Sequence, residues 1–374
     1  MSLSGLRYIS ALLVFMFFVL LDSVQAQGDW KAQWEKTLAA AKKEGRINIY
    51  ISGYEKVVPA FQKAYPEIKV RTVTGRGSQL GPRIMAERRA GKYLTDVYSG
   101  GSTTPYMVLC RSKSLASIKP ALSLPEVLNQ TNWWQGKHRY LDAEGKFLFA
   151  YTGNVRAAGV HFNTKLVDPK EFKSYWDLLK PKWIGKIAGR DMRQPGPGSG
   201  SMRFLYYNPE IGPEFVRGLF FKSKITLSRS YRQPTDWVAT GRYPICLFCG
   251  GISDAKAQGL PVDSLPPHVM KEGSPVSVTF GTLALMKNAP HPNAAKVFIN
   301  WLLSREGQIA LQKAINSPTD QLESLREDIP KDVINPEFRR RKGAKYIITD
   351  RPEWMNLKPV YKFINKALAE AGKR

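Results

Sequence analysis

A run of glycine, proline and serine at residues 195–201 has the composition of an anion-binding turn. Proline and glycine interrupt regular structure, and Ser199 or Ser201 is a favourable N-cap for a helix that continues to Tyr207. Small side chains at a helix N-terminus leave backbone N–H groups accessible, where the helix dipole favours negative charge. The sequence therefore predicts that Ser199, Gly200 and Ser201 contact an anionic group.

The adjacent tyrosines Tyr206 and Tyr207 offer a competing interpretation, as ligands of a hard metal ion. Successive residues of an α-helix point about 100° apart, so both phenolates could not easily reach one metal. Tyr206 also lies at helical spacing from Met202 and Leu205, which is typical of a buried helix face. We therefore interpret the tyrosines as packing residues, and we predict no metal ligand and no cofactor.

The first part of the chain alternates predicted strands and helices, which indicates a parallel sheet. Predicted strands at 47–52, 68–74 and 96–99 are separated by predicted helices at 57–65 and 80–89. In such a sheet, ligands bind beyond the carboxyl ends of the strands, and here small polar residues follow each strand. The candidate binding residues in these loops are Ser52, Tyr54, Arg76, Gly77, Ser78, Gly101, Ser102 and Thr103.

The second half of the chain continues the mixture of strands and helices. Short strands are predicted at 226–228 and 243–248, followed by two strong helices at 294–303 and 305–314. We expect a polar, charged tail from there to the last residue. The pattern predicts an α/β protein.

Length and charge limit the functional classes. The 374 residues suffice for two domains, and a composition of 43% hydrophobic and 23% charged residues is that of an ordinary folded protein. The net charge of +25 favours anionic partners, but the basic residues are dispersed, apart from a cluster at 339–342. We therefore expect a small solute as the partner and no nucleic acid.

The cysteines and histidines give weak signals for catalysis. Cys246 and Cys249 have the spacing of a redox pair, but Cys246 falls in the predicted strand at 243–248 and Cys249 directly follows it. Strand alternation would direct them to opposite faces, so we favour structural or free thiols. The four histidines show no zinc spacing, and neither G-x-S-x-G with a triad nor H-E-x-x-H occurs. We predict that the protein is not an enzyme.

The N-terminal segment has the pattern of a secretory signal. An apolar run at 9–21 follows Arg7, and small residues follow at 24–26. The run is shorter than the roughly 20 residues that a membrane-spanning helix needs. We expect residues 1–26 to be cleaved and the mature protein to be exported to the periplasm.

Three motifs resemble those of the extracellular solute-binding proteins of bacterial ABC importers, in the group that includes ferric-ion-binding proteins. They are W-x-L-L-x-P-K-W-x-G-K-I at 176–187, K-N-A-P-H-P-N-A-A at 287–295, and F-I-N-W-L-L-S at 298–304 with Gly307 and Gln308. The resemblance implies a two-lobe α/β periplasmic-binding-protein fold of type II, with two crossing hinge strands and a ligand cleft between the lobes. It places the first lobe at 27–153 and 277–374, and an inserted second lobe at 154–276.

The resemblance also implies a function and its alternatives. A protein of this kind captures a solute by lobe closure and delivers it to an inner-membrane ABC permease, and we expect it to be a monomer. In the ferric-binding relatives, two consecutive tyrosines bind iron at a position that corresponds here to Leu247, Phe248 and Cys249. We therefore expect a small anionic or polar organic solute of carboxylate or phosphate type. A ferric-iron-binding protein is the alternative, and an exported enzyme on a two-lobe frame is the second.

Arginines near the loops are the candidate charge partners, because a guanidinium fork matches carboxylate and phosphate groups. Arg203 and Tyr207 are four residues apart on the predicted helix, so they could equally stack on each other at the surface. Tyr54 and Phe248 would supply an apolar wall. The candidate residues on the second lobe are Ser199, Gly200, Ser201, Arg203, Arg229, Tyr231 and Phe248.

Overall fold

The computed structural model describes residues 30–155, 159–193, 199–317 and 321–372. The predicted signal segment at 1–26 and the turn residues 194–198 lie outside the described residues. Within the described ranges, no helix combines the length and the apolar character needed to cross a membrane.

The first lobe is built on a mixed sheet with the strand order β2-β1-β3-β13-β5-β4. Its strands, numbered in chain order, are β1 (Arg46–Ile51), β2 (Lys69–Thr74), β3 (Val97–Gly100), β4 (Arg139–Tyr140), β5 (Phe149–Ala150) and β13 (Thr282–Leu285). β1, β2 and β3 are parallel, whereas β13 runs antiparallel to β3 and β5. The parallel pairing confirms the predicted alternation and places the carboxyl ends of three strands at one edge.

Helices cover this sheet and hold its core. They are α1 (30–44), α2 (Val58–Ala64), α3 (Gly77–Arg89), α4 (Pro125–Leu128), α9 (Pro292–Leu303) and α10 (Arg305–Ile315). Phe61 of α2 is fully buried and packs edge-on against Phe298 of α9, with ring centroids 5.1 Å apart. The Glu44 carboxylate accepts hydrogen bonds from the N–H groups of Asn293 (3.2 Å) and Ala294 (2.8 Å). It thereby satisfies N–H groups that the first turn of α9 cannot pair internally.

The second lobe has its own sheet, with the order β11-β7-β10-β8-β9. Its strands are β7 (Val160–Asn163), β8 (Ile187–Arg190), β9 (Thr226–Ser228), β10 (Ile245–Leu247) and β11 (Val262–Ser264). β8, β9 and β10 are parallel, so their carboxyl ends also share one edge. The helices of this lobe include α5 (Ser199–Tyr207), α6 (Gly212–Arg217), α7 (Gln233–Ala239) and α8 (Ile252–Ala257).

Two antiparallel crossing strands, β6 (Asn154–Val155) and β12 (Ser274–Ser277), connect the lobes. A third strand, β14 (Tyr346–Ile348), runs parallel to β12 and completes a three-stranded hinge sheet. The expected lobe boundaries, at 153/154 and 276/277, fall at the start of β6 and within β12. The two-lobe architecture agrees with the expectation, and β14 adds a connection that we did not predict.

The C-terminal region differs from the polar tail that we expected. A helix, α11 (Lys358–Glu370), follows β14 and packs into the hydrophobic core of the second lobe. Val360, Ile364, Ala367 and Leu368 are buried there, at the spacing of one helix face. Although we assigned residues 277–374 to the first lobe, α11 therefore belongs to the second lobe.

The cysteine pair also differs from the expectation. Cys246 and Cys249 form a disulfide, whereas strand alternation predicted that they would point apart. The strand β10 ends at Leu247, and Phe248 adopts a positive φ of 60°, a conformation that is rare for a residue with a large side chain. The reversal of the chain at Phe248 brings Cys249 back beside Cys246.

The histidine on β7, His161, is expected to make the stability of the protein dependent on pH. The Nδ1 atom of His161 lies 2.8 Å from Ser264 Oγ, and burial lowers the pKa of His161 from 6.5 to about 4. Between these values the unfolded chain binds a proton that the folded protein does not. The free energy of unfolding should therefore fall as the pH decreases from 6.5 to 4, by up to about 3 kcal/mol.

Urea denaturation of the wild type and of His161→Gln at pH 7, 5.5 and 4 checks this prediction. The variant cannot bind the proton, so it should lose less stability than the wild type across the window. Identical losses in the two proteins would contradict the assignment.

Candidate functional site

The loops after β1, β2 and β3 lie together at the carboxyl edge of the first sheet. The N–H of Ser52 donates to the carbonyl oxygen of Ser99 at 2.9 Å. A Cβ on Gly77, at the start of α3, would lie 2.6 Å from Thr104 Oγ1, so a larger residue would force the Thr104 side chain to move. Arg76, Ser78 and Thr103 are exposed at this edge, Gly77 and Gly101 are half-buried, and Ser52 and Ser102 are buried.

The aromatic wall of the first lobe is arranged differently from our prediction. Tyr54 is buried, and its ring packs edge-on against Phe280 (5.7 Å) and Tyr151 (6.4 Å). The ring of Phe280 lies on Gly53 and is 39% exposed. Phe280 therefore presents the exposed aromatic surface, and Tyr54 supports it from behind.

A buried carboxylate that we did not predict, Asp350, connects the two lobes. Its Oδ1 atom accepts hydrogen bonds from Ser102 Oγ (2.5 Å) on the first lobe and from Arg203 Nη1 (3.3 Å) on α5. Its Oδ2 atom accepts the N–H of Val278 (3.0 Å), one residue beyond β12. Arg203 Nη2 also donates to Thr103 Oγ1 (3.0 Å), directly from the second lobe to the first. We refer to these five residues as the Asp350 network.

The Asp350 network determines the contacts of Arg203, and the neighbouring Tyr206 and Tyr207 pack elsewhere. Arg203 is 2% exposed and forms an ion pair with Asp350, so it does not stack on Tyr207 at the surface. Tyr207 instead stacks on Trp354 (5.7 Å), and Tyr206 packs edge-on against Phe363 of α11 (5.5 Å). The two tyrosines hold α5 against the C-terminal segment.

The predicted anion-binding turn lies beside this network. The helix α5 begins at Ser199, whose side chain is outside the described part of the structure. A Cβ on Gly200 would lie 3.5 Å from Thr349 Oγ1, and Ser201 is half-buried in the first turn. The start of α5 is therefore next to the residue that precedes Asp350.

The carboxyl edge of the second sheet carries further arginines. Arg190 ends β8, and Arg229 follows β9. Asp191 accepts hydrogen bonds from Arg193 Nε (2.8 Å) and Nη2 (2.7 Å). Burial alone would raise the pKa of Asp191, but the bonds from Arg193 and the charge of Arg229 outweigh it and lower the pKa. Asp191, Arg193 and Arg229 line a cavity of about 330 Å³ that Leu368 of α11 also borders.

The aromatic residues of the second lobe occupy distinct positions. The ring of Tyr231 lies directly against Gly250, where any side chain would collide with it. Tyr231 is 48% exposed, whereas Phe248 is buried, with its N–H donating to the carbonyl oxygen of Gly159 at 2.7 Å. Tyr231 is thus the more accessible of the two predicted aromatic contacts.

The structure places the predicted loop residues at the carboxyl edges of the two sheets, and Ser102, Thr103 and Arg203 take part in contacts that join these edges. Sequence reasoning missed Asp350, Phe280 and Arg190, which occupy the same region. Arg190 was the easiest of these to find, because it is the last residue of a buried strand that precedes the predicted turn. In the described ranges, no three His, Cys, Asp or Glu side chains are grouped so that they could hold a metal ion.

Comparisons with known sequences identify the family. Residues 48–309 match the model of the bacterial extracellular solute-binding protein family. The spermidine/putrescine-binding periplasmic protein 1 of Haemophilus influenzae is 25% identical over 182 residues, which are 47% of this chain and 49% of that protein. The match therefore spans about half the length of that relative. An uncharacterized protein of the same organism is 22% identical over 327 residues, covering 80% of this chain and 87% of the relative.

Solved structures show the same fold in binding proteins with different ligands. The periplasmic binding protein AfuA of Actinobacillus pleuropneumoniae, with fructose-6-phosphate bound, has a TM-score of 0.59 and 20% identity, covering 88% of this chain and 99% of its own. The Trichodesmium protein IdiA (FutA), in complex with iron and citrate, has a TM-score of 0.64 and 20% identity, covering 86% and 99%. These likenesses establish the two-lobe fold, and the family match over most of the chain shows that this protein belongs to the bacterial extracellular solute-binding proteins.

Proposed function

We propose that this protein captures a small anionic or polar organic solute, with a carboxylate or phosphate group, in the periplasm. Lobe closure holds the solute, and the closed protein delivers it to the permease of an ABC importer in the inner membrane. Family membership supports the role in import. The chemical class of the solute is inferred from the charges at the edge where the lobes meet.

The inference rests on the arginines at the edge where the two lobes meet. Arg190 and Arg193 belong to β8 and the loop after it, Arg229 follows β9, and Arg203 is on α5. Among the described residues, Asp191 pairs with Arg193 and Asp350 pairs with Arg203, and Arg229 adds a further positive charge beside Asp191. A carboxylate or phosphate group of the solute would neutralise that charge.

The bound solute would contact both lobes. Its anionic group lies near the first turn of α5, where Gly200 allows close approach to backbone N–H groups, and near Arg229. Arg76 approaches the same group from the first lobe as the cleft closes. The exposed rings of Phe280 and Tyr231 lie on opposite lobes and cover the organic part of the solute.

A thermal-shift screen checks the charge class. Fructose 6-phosphate, citrate and spermidine are tested, because relatives bind solutes of opposite charge. A ligand at 100 times its Kd stabilises a protein by roughly 2.7 kcal/mol, so a bound anion should raise Tm by several degrees. We expect at least one anion to do so, while spermidine leaves Tm unchanged because the arginine edge repels it.

Stabilisation by spermidine in the absence of any anion effect would contradict the proposal. Consumption of any probe would indicate an enzyme, and a stabilising effect of ferric citrate without an effect of citrate would indicate the iron-binding alternative.

Charge reversal tests the contacts themselves. We expect Arg76→Glu and Arg229→Glu each to weaken the binding of the stabilising anion by tenfold to a hundredfold, because each removes a charge-assisted hydrogen bond of roughly 1.5–3 kcal/mol. Isothermal titration calorimetry measures the change. Arg89→Glu is the matched control, since Arg89 is exposed at the other end of α3 and carries the same charge. Unchanged affinity in both test variants would remove the proposed site.

A further inference from the structure

A second cavity, of about 410 Å³, lies beside the hinge sheet and is separate from the solute contacts proposed above. Its walls include Val276, Val278 and Ile348 on the hinge side, and Trp134 and Arg139 on the first lobe. We call it the hinge cavity. None of the proposed solute contacts is among its lining residues, and β4 and β5 lie at the opposite edge of the first sheet from β1 and β2. Its volume is within the range of small-molecule sites, roughly 300–1,000 Å³.

Basic side chains outnumber acidic ones in the lining of the hinge cavity. Lys137, Arg139 and Arg351 line it, and Arg340 packs behind the Trp134 ring system, with its guanidinium carbon 5.1 Å from the ring centroid. The guanidinium carbon of Arg139 lies 4.3 Å from the same centroid. Burial, and then the charges of Arg340 and Arg351, lower the pKa of Arg139 to about 10. The positive charges of Arg340 and Arg351 are thus close enough to act on Arg139.

The carboxylates near the hinge cavity already lie beside basic residues other than Arg139. Glu323 pairs with Arg340 at 3.3 Å. Asp350 lines the cavity but pairs with Arg203, and the exposed Glu353 lies 3.9 Å from Arg351.

Arg139 itself has no carboxylate partner in the part of the chain that the structure describes. The ion pairs of the described residues include none to Arg139, and Glu327 raises its pKa only by a charge acting at longer range. Its Nη2 atom donates to Gln135 Oε1 at 2.6 Å, but its Nε atom is buried and, within the described ranges, has no hydrogen-bond partner. A buried, unsatisfied donor on a charged group is costly, and an anion in the cavity would satisfy it.

We propose that the hinge cavity is a second binding site, which takes a small oxyanion, a phosphate or carboxylate group, between Arg139 and Arg351. Arg139 belongs to the first lobe, whereas Arg351 begins the segment that leads to α11 in the second lobe. The bound anion therefore bridges the two lobes behind the hinge. It stabilises the arrangement in which Asp350 holds Ser102 and Arg203.

The test uses the full mature chain carrying Arg229→Glu, which disables the proposed solute contact on the second lobe. Inorganic phosphate and malonate are titrated separately by calorimetry, so that phosphate and carboxylate chemistry are distinguished. We expect at least one of them to bind this protein. Adding Arg139→Gln or Arg351→Gln should weaken that binding at least tenfold, because each removes a guanidinium from the site.

Controls separate this loss from unfolding. Arg217→Gln, on α6 of the second lobe, removes a half-exposed arginine and should leave the affinity unchanged. Arg139→Lys keeps the charge and should retain part of the affinity, with the circular dichroism spectrum of each variant checking the fold. The proposal is overturned if neither anion binds, or if both cavity variants bind as tightly as their parent. If no solute binds in the cleft, but an anion still binds and its binding depends on Arg139, the proposed function is refuted and this inference stands.

Discussion

The relative position of the two lobes depends on one buried carboxylate, Asp350. A buried charge is costly unless it is paired and hydrogen-bonded, and Asp350 meets both conditions with groups from three parts of the molecule. Ser102 comes from the first lobe, the N–H of Val278 from the end of a hinge strand, and Arg203 from the second lobe. If Asp350 were removed, Arg203 would be buried without its partner, at a cost of roughly 3–5 kcal/mol. The Asp350 network therefore links the two lobes, and separating them there would require the hydrogen bonds of Ser102 and Thr103 to break or rearrange.

The Asp350 network affects the whole molecule because the chain crosses between the lobes repeatedly. The chain passes between the lobes along β6, along β12 and again after β14, and α11 then packs in the core of the second lobe. Each lobe has its own sheet and its own buried core, so the expected motion is a rotation of two rigid bodies about the hinge sheet. The segment after β14 carries both Asp350 and Arg351. Asp350 and Arg351 both line the hinge cavity, and Asp350 is also bonded to Ser102 and Arg203, so the hinge cavity adjoins the Asp350 network.

Much of the fold was predictable because local patterns determine it. The alternation of strands and helices placed β1, β2 and β3 in a parallel sheet, and with them the loops that carry Ser52, Arg76 and Ser102. The helix α11 was also predictable from the spacing of its buried residues, although we treated it as a polar tail. Asp350 was not, because Ser102 lies 248 residues away and Arg203 lies 147 residues away, and no local pattern specifies such pairs. The disulfide was missed for a different reason, since the positive φ of Phe248 reverses the alternation that the strand predicts.

The central claim is that an anionic solute is captured between the lobes by closure about the hinge sheet. Small-angle X-ray scattering tests it most directly, with the protein measured alone and then saturated with whichever of fructose 6-phosphate and citrate stabilises it. Closure brings the two lobes together, so the account predicts a smaller radius of gyration in the saturated sample, and no such decrease with spermidine. A radius of gyration that stays the same when the anion is bound at saturation would contradict the account.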